Sequence, residues 1–271
     1  MTTPNMSSGG RFFSVEGRIA LVTGARRGIG RGIAEGFAEY GGDVALVDAV
    51  GGAELEQAAD AIRRRGRRAW VYVQDLAQTE QLEALAERVW RDCDRIDVLY
   101  NNAGIAFLET YDRITLEHWR KIMAVNADAA FFLSQAVAKR MIAAGIKGRI
   151  INSSSVNGFM ASEGLAHYNA SKGAMEMLTR SLAVELGRHG ITVNSLCPGN
   201  VNTRIGEDFP PREGVDDWYK LHVPLGRIAE VEDIVGPAIF LASRAGAFMN
   251  GQHIILDGGL LAQQLPVKPH R

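Results

Sequence analysis

Long apolar runs, charge of one sign and cysteine pairs are all scarce in this chain of 271 residues, and each scarcity removes a class of protein. No stretch approaches the ~20 apolar residues that cross a bilayer, so no membrane partner is expected. Lys and Arg number 30 against 31 Asp and Glu, a formal net charge of −1. That balance leaves no broad basic surface for nucleic acid or acidic lipid. The one basic cluster, Arg63-Arg-Arg-Gly-Arg-Arg68, closes an expected helix over 53–65, where cations complement the C-terminal end of the helix dipole. The two cysteines, Cys93 and Cys197, fit neither a disulfide framework nor a metal-ligand spacing, so no metal is expected. They read as reduced thiols of a cytoplasmic protein. Met1 to Gly10 lacks the charged start and apolar core of a secretory signal. Residues 1–12 therefore read as a flexible leader and 265–271 as a tail around one domain over 13–264.

What the chain does have is alternation. Ile19 to Val22, Val44 to Asp48, Ala69 to Gln74, Val98 to Asn101, Ile150 to Ser153, Thr192 to Leu196 and His253 to Leu256 read as short strands. Most are apolar on both faces, as in a parallel sheet covered by helices on each side. Helices are expected over 31–40, with Ile33, Phe37 and Tyr40 turned inward, and over 79–91, with Leu82, Leu85, Val89 and Trp90 as the buried stripe. Two longer ones are expected over 116–141 and 168–188. The fold class is α/β, a single Rossmann-type doubly wound parallel sheet.

Between the first strand and its helix lies Thr23-Gly-Ala-Arg-Arg-Gly-Ile-Gly30. A glycine turn entering a helix presents free backbone N–H groups to a pyrophosphate. Gly24 suits the tight turn, Gly28 a close backbone approach to phosphate, and Gly30 close packing of helix on strand. Arg27, Gly28 and Ile29 are the other contacts expected there. Asp48 ends the next strand, eighteen residues beyond Gly30. A carboxylate at that point accepts hydrogen bonds from the adenosine ribose and repels a 2′-phosphate. It favours NAD, with NADP less favoured; Arg26 and Arg27 pull the other way, since a guanidinium pairs with that phosphate.

The second chemical signal is Tyr168-Asn-Ala-Ser-Lys172. Residues four apart share a helix face, so the Lys172 ammonium can lie close to the Tyr168 phenol. An unperturbed phenol titrates near ~10, and a nearby cation is expected to pull it toward the working range.

Taken in order, Thr23 to Gly30, Asp75-Leu76, Asn101-Asn-Ala-Gly104, Asn126, Ser155, Tyr168, Lys172 and Pro198-Gly-Asn-Val-Asn-Thr203 resemble the short-chain dehydrogenase/reductase family, from about Gly17 to Gly259. The resemblance implies a catalytic set of Asn126, Ser155, Tyr168 and Lys172, with Asn126 binding a water that links Lys172 to solvent. It implies that Asp75 and Leu76 meet the adenine, and that Asn102 and Lys172 meet ribose. Val201 and Thr203 would then reach the nicotinamide carboxamide or phosphates. Ser155, Tyr168 and Asn157 are the expected substrate contacts. Residues 204–225 show little apolar periodicity and read as a lid, with Phe209, Trp218 or His222 toward the substrate.

His167 to Met175 is similar to the segment of bacterial sugar 1-dehydrogenases in that family, and points to a sugar or polyol. Two alternatives stay open: a 3-oxoacyl-thioester reductase, and a protein that binds NAD as a regulator or scaffold without turnover. A serine hydrolase is excluded for want of a G-x-S-x-G elbow. A homotetramer is expected, through the 116–141 and 168–188 helices, because the latter is apolar on several sides.

Overall fold

The computed structural model describes residues 10–203 and 214–263. Seven parallel strands form one sheet in the order β3-β2-β1-β4-β5-β6-β7. They are β1 (Ile19–Thr23), β2 (Asp43–Asp48), β3 (Ala69–Val73), β4 (Val98–Asn101), β5 (Arg149–Ser153), β6 (Thr192–Pro198) and β7 (His253–Leu256). Side chains alternate between the two faces of a strand, and the burial follows that rule closely. Ala20, Val22, Val44, Leu46, Val98 and Tyr100 join one core cluster, whereas Ile19, Leu21, Ala45, Val47 and Leu99 join the other.

The first cluster is closed by α2 (Gly28–Glu39), α3 (Ala53–Arg64) and α9 (Glu232–Ala242). The second is closed by α4 (Leu82–Cys93), α6 (Ala129–Ala143) and α7 (Ala166–Gly187). Both faces of the central strands are thus buried. Asp43, at the start of β2, takes ion pairs from Arg67 and Arg68, so part of the basic cluster is a clasp on the sheet's edge.

Four expectations change. Tyr40 is not an inward residue: it follows α2 and is 45% exposed, while Ile33 and Phe37 are fully buried. The expected helix over 116–141 is α5 (Leu116–Met123), a π-turn at Ala124–Asp128 and then α6, which runs on to Ala143. Within the leader, α1 (Gly10–Phe13) is a helical turn docked on the body through Ala245 N–H to the Phe12 carbonyl and the Phe13–Phe240 ring contact. Finally, Val215–His222 of the supposed lid is a helix, α8; Phe209 lies outside the described residues, as do 1–9, 204–213 and 264–271. Both cysteines are free and buried.

Strand order reverses between β1 and β4, which both neighbour each other and lead to opposite halves of the sheet. Loops after the carboxyl ends of these strands part at such a point and leave a crevice for a ligand.

Candidate active site

The turn after β1 is held from across the crevice. The Thr23 hydroxyl accepts the N–H groups of Asn102 and Ala103 at 3.0 and 3.1 Å, and the Asn102 amide donates to the Thr23 and Gly24 carbonyls. Gly24 has φ +65, and a Cβ on it would come within 2.9 Å of the Ala103 Cα. A Cβ on Gly30 would overlap the Gly24 carbonyl oxygen and the Asn102 amide. These two glycines exist so that two loops and a helix can touch.

Gly28, in contrast, has φ +56, and a Cβ on it would meet only the Thr203 side chain, at 3.5 Å. Arg27 precedes α2 in extended conformation without capping it by its side chain. The N–H groups of Gly28, Ile29 and Gly30 therefore belong to a first helical turn with no intrahelical acceptor. This is the chemistry of a pyrophosphate seat, and the residues present fit a dinucleotide.

Asp48 closes one end of this cradle. Its carboxylate accepts the N–H groups of Arg26 and Val50 at 3.2 and 3.0 Å. The Arg26 guanidinium lies 3.5 Å from it and is also paired with Glu54. Asp75 accepts the Ala77 N–H at 2.9 Å, an Asx turn after β3 rather than a helix cap. The Leu76 side chain is buried beneath it. At the far end, Val201 forms a parallel bridge with Ala229 that uses the Asn200 carbonyl and Asn202 N–H. The N–H and C=O of Val201 itself point away from Ala229.

The other group gathers on α7. The Ser155 hydroxyl lies beside the Tyr168 phenol; it donates to the Pro198 carbonyl at 3.5 Å and accepts the Asn157 N–H at 3.2 Å. The Lys172 ammonium donates to the Ser153 carbonyl at 2.8 Å and lies 5.5 Å from the Tyr168 ring centroid. Gly104 lies between Lys172 Nζ and Asn126 Oδ1, with both within 3.6 Å of its Cβ position. Asn126, inside the π-turn, exchanges hydrogen bonds with both backbone groups of Ile105 and donates to Ser171. Single π-turns often mark functional sites in helices; this one aims an amide at the loop after β4.

Burial governs the titration of both α7 groups. It pulls Lys172 down to about 8, against the opposing influence of Cys197 and Glu176. It raises Tyr168 above its ordinary value, and only the neighbouring Ser155 hydroxyl opposes this. The expected pull of Lys172 on the phenol is outweighed here by burial. Its charge sits over the ring, tied to Ser153, while desolvation of the phenolate dominates.

Several neighbours carry no motif. Tyr219 of α8 interacts electrostatically with Tyr168, whereas Trp218 stacks on His222 with ring centroids 4.0 Å apart. The Asn157 amide, an expected substrate contact, is taken up by Ser162 and Asn169. Glu109 bridges His118 and the buried His167, at 2.8 and 3.4 Å. It also lines a cleft of about 820 Å³ with Leu108, Thr110, Asp112, Arg113, Glu163 and Gly164. Only the position of Glu109 five residues past a turn motif hinted at this, and spacing alone carries no such signal.

The chain is similar to known proteins over most of its length. The model of the family described as enoyl-(acyl carrier protein) reductase matches residues 24–261. Gluconate 5-dehydrogenase of Gluconobacter oxydans is 40% identical over 248 residues, 92% of this chain and 96% of that protein. The 5-keto-D-gluconate 5-reductase of Escherichia coli is 33% identical over 92% of this chain and 97% of its own. Among solved structures, a gluconate 5-dehydrogenase of Burkholderia cenocepacia in complex with NADP and tartrate superposes with TM-score 0.88. It is 37% identical and covers 94% of this chain and 99% of that one. No helix among the described residues is long and apolar enough to cross a membrane.

Proposed function

The chain belongs to the short-chain dehydrogenase/reductase family and is a nicotinamide-dependent oxidoreductase of alcohol and carbonyl groups, and within that activity we propose that it interconverts a secondary hydroxyl of a six-carbon sugar acid, at C5, with the ketone. The observation that carries this reading is the Ser155–Tyr168–Lys172 group at the mouth of the dinucleotide cradle. The substrate class rests on the relatives that act on gluconate and 5-ketogluconate.

Each side chain has a task that its surroundings allow. Ser155 holds the substrate oxygen against the phenol. Tyr168 takes the hydroxyl proton in oxidation and returns it in reduction, a role typically worth ~10²–10⁴-fold. Lys172, anchored on Ser153, fixes a positive charge beside that proton and donates to the nicotinamide ribose. Asn126 holds the loop after β4 against Lys172 and relays a water toward it. Gly28, Ile29 and Gly30 would seat the pyrophosphate, Asp48 and Asn102 the riboses, Asp75 and Leu76 the adenine, and Val201 and Thr203 the carboxamide end. When bound, the nicotinamide ring carries the hydride, and in its oxidised form it brings a positive charge that favours ionised Tyr168.

NAD is the preferred cofactor in this reading. Arg26, beside the expected ribose carboxylate, is paired with Asp48 and Glu54, so a 2′-phosphate drawing on it would have to displace a carboxylate. The NADP in the Burkholderia structure sets the contrary expectation, and kinetics decide between them. The chain works in the cytoplasm as a homotetramer. On one chain Met177 and Val184 of α7 are 59% and 82% exposed, and Phe132 of α6 also faces out; such a face calls for a second copy.

The test is turnover with gluconate, other hexonates, neutral sugars, polyols and a 3-oxoacyl thioester, each with NAD and NADP, read by absorbance of the reduced nicotinamide. Hexonate oxidation giving the 5-ketone, faster with NAD, is the expected result. Preferential reduction of the thioester, or dinucleotide binding with no turnover on any alcohol, would overturn it.

A further inference from the structure

Behind Lys172, one turn further along α7, lies a buried carboxylate that the reading above does not use. Glu176 and Lys172 are four apart and share the face of α7 turned to the sheet. The Glu176 side chain is only 8% exposed. Three groups from the sheet reach its oxygens: the Ser195 hydroxyl at 3.2 Å and the Cys197 thiol at 3.4 Å, both on β6, and the His253 ring on β7.

The identity of the His253 proton follows from its other side. Arg180 donates to His253 Nε2 at 2.9 Å, and a guanidinium has donors only. Nε2 therefore accepts, the ring is neutral, and the proton is on Nδ1, facing Glu176 and the Ser195 oxygen. Glu176, Cys197 and His253 also place their possible ligand atoms within 4.8 Å of one another; with the proton on Nδ1 the group is a hydrogen-bonded carboxylate. Buried anions persist when donors of this kind surround them.

We infer that Glu176 is a positioning residue for the reaction: held by Ser195, Cys197 and His253, it places a fixed negative charge one helical turn behind Lys172 and supports the charge of that amine. The kinetic part of this rests on the oxidoreductase reading above; the electrostatic part does not. Around Lys172 and Glu176 the titratable and charged groups are Tyr168 and Arg180 on α7, Cys197 on β6, His253 on β7, and Tyr219 of α8 beyond Tyr168. Burial holds the Cys197 thiol up at about 12, so it is neutral in the working range. That leaves Glu176 as the anion that supports the Lys172 charge. With less charge on Lys172, ionised Tyr168 loses part of its support.

The sharpest test is Glu176→Gln, which keeps the shape and removes the charge. NMR titration of the Lys172 side-chain resonance, in protein carrying ¹³C at the lysine ε carbons and assigned with Lys172→Met, is expected to move down by about one pH unit in this variant. The acid limb of the kcat–pH profile for alcohol oxidation is expected to move up by a similar amount, with the alkaline plateau kept, and Glu176→Asp is expected to restore most of both. Cys197→Ala removes a donor from Glu176 but leaves its charge, so it is expected to move Lys172 up by a few tenths of a unit; it also serves if Glu176→Gln does not fold. An unchanged Lys172 titration in these variants, or a uniform loss of kcat with no shift of the limb, overturns the inference, as does a titration that moves on adding zinc. Shifts in the Lys172 titration without turnover on any alcohol would sink the functional reading and leave the charge relation standing.

Discussion

The two halves of the crevice are built from different materials. On the β1 side the cradle is backbone: glycines where a Cβ would strike a neighbouring loop, N–H groups of a first helical turn, and amides that tie one loop to the next. On the β5–β6 side it is side chain: a buried ammonium, a half-buried phenol, a buried carboxylate and a π-turn asparagine. The first kind is sensitive to volume and indifferent to pH. The second is sensitive to charge and costs the fold stability, because desolvated ionisable groups are unfavourable until something binds them. The dinucleotide seat therefore strengthens the fold, while the reactive group strains it.

The contrast breaks most visibly at Tyr168. Tyr168→Phe deletes one oxygen and leaves the cradle untouched, so dinucleotide affinity measured by fluorescence titration is expected to hold while kcat falls by ~10²–10⁴-fold. Wild-type-like turnover would show that the phenol is packing only.

Lys172 sharpens the same contrast through stability. Its folded value is about 8, against ~10.4 in an unfolded chain, so between those values the unfolded state holds the proton and the folded state has lost it. Stability from this group therefore rises with pH across that window, and the full penalty is present below pH 8. Relative to Lys172→Met, the wild type is expected to gain on the order of 3 kcal/mol between pH 7 and 10.5, read from denaturant melts of both proteins. A pH-independent difference would mean that Lys172 is not desolvated.

Gly30→Ala probes the other half. Its Cβ meets the Gly24 carbonyl and the Asn102 amide, backbone and a tied side chain that cannot swing aside. Overpacking of this kind costs about 1–3 kcal/mol, and the expected result is a lower melting temperature with dinucleotide affinity weakened at least tenfold. The loss should be the same at pH 6 and pH 9, which is what separates it from the α7 variants.

How much of each half was legible follows from its material. The sheet and the glycine turn were readable because backbone requirements leave marks at fixed spacing: apolar runs for strands buried on both faces, and glycine where no side chain fits. All seven strands were expected within about two residues of where they lie. The helix over 116–141 was legible as a helix but its π-turn was not, since Asn126 within it bonds Ile105, 21 residues away in sequence. The Tyr168–Lys172 pair was legible as a pair, yet the weight of burial in its titration was not, because burial is a property of everything packed around it. Glu176 stood at the helical spacing from Lys172, but Cys197 and His253 come from two other strands and no local pattern announces them. Tyr219 and Glu109 were missed for the same reason.

Asp48 joins the two kinds of construction, a charged side chain set among backbone donors, and its removal gives the smallest effect of the four. Two backbone N–H groups and Arg26 hold the carboxylate, so Asp48→Ala leaves Arg26 paired with Glu54 alone and partly free to turn toward a 2′-phosphate. A like charge facing that phosphate is unfavourable by several kcal/mol when desolvated, but this end of the cradle opens to solvent and salt screens it. The expected change in the ratio of kcat/KM for NAD over that for NADP is therefore about tenfold in favour of NADP, or about 1.4 kcal/mol. Half of that shift should vanish when the salt is raised to about 1 M, where the screening length is about 3 Å. Glu54→Gln in the same background should add to the change, since it releases the second partner of Arg26. If neither substitution moves the ratio, Arg27 and not Arg26 is the cation that answers the 2′ position, and the preference for NAD has another source.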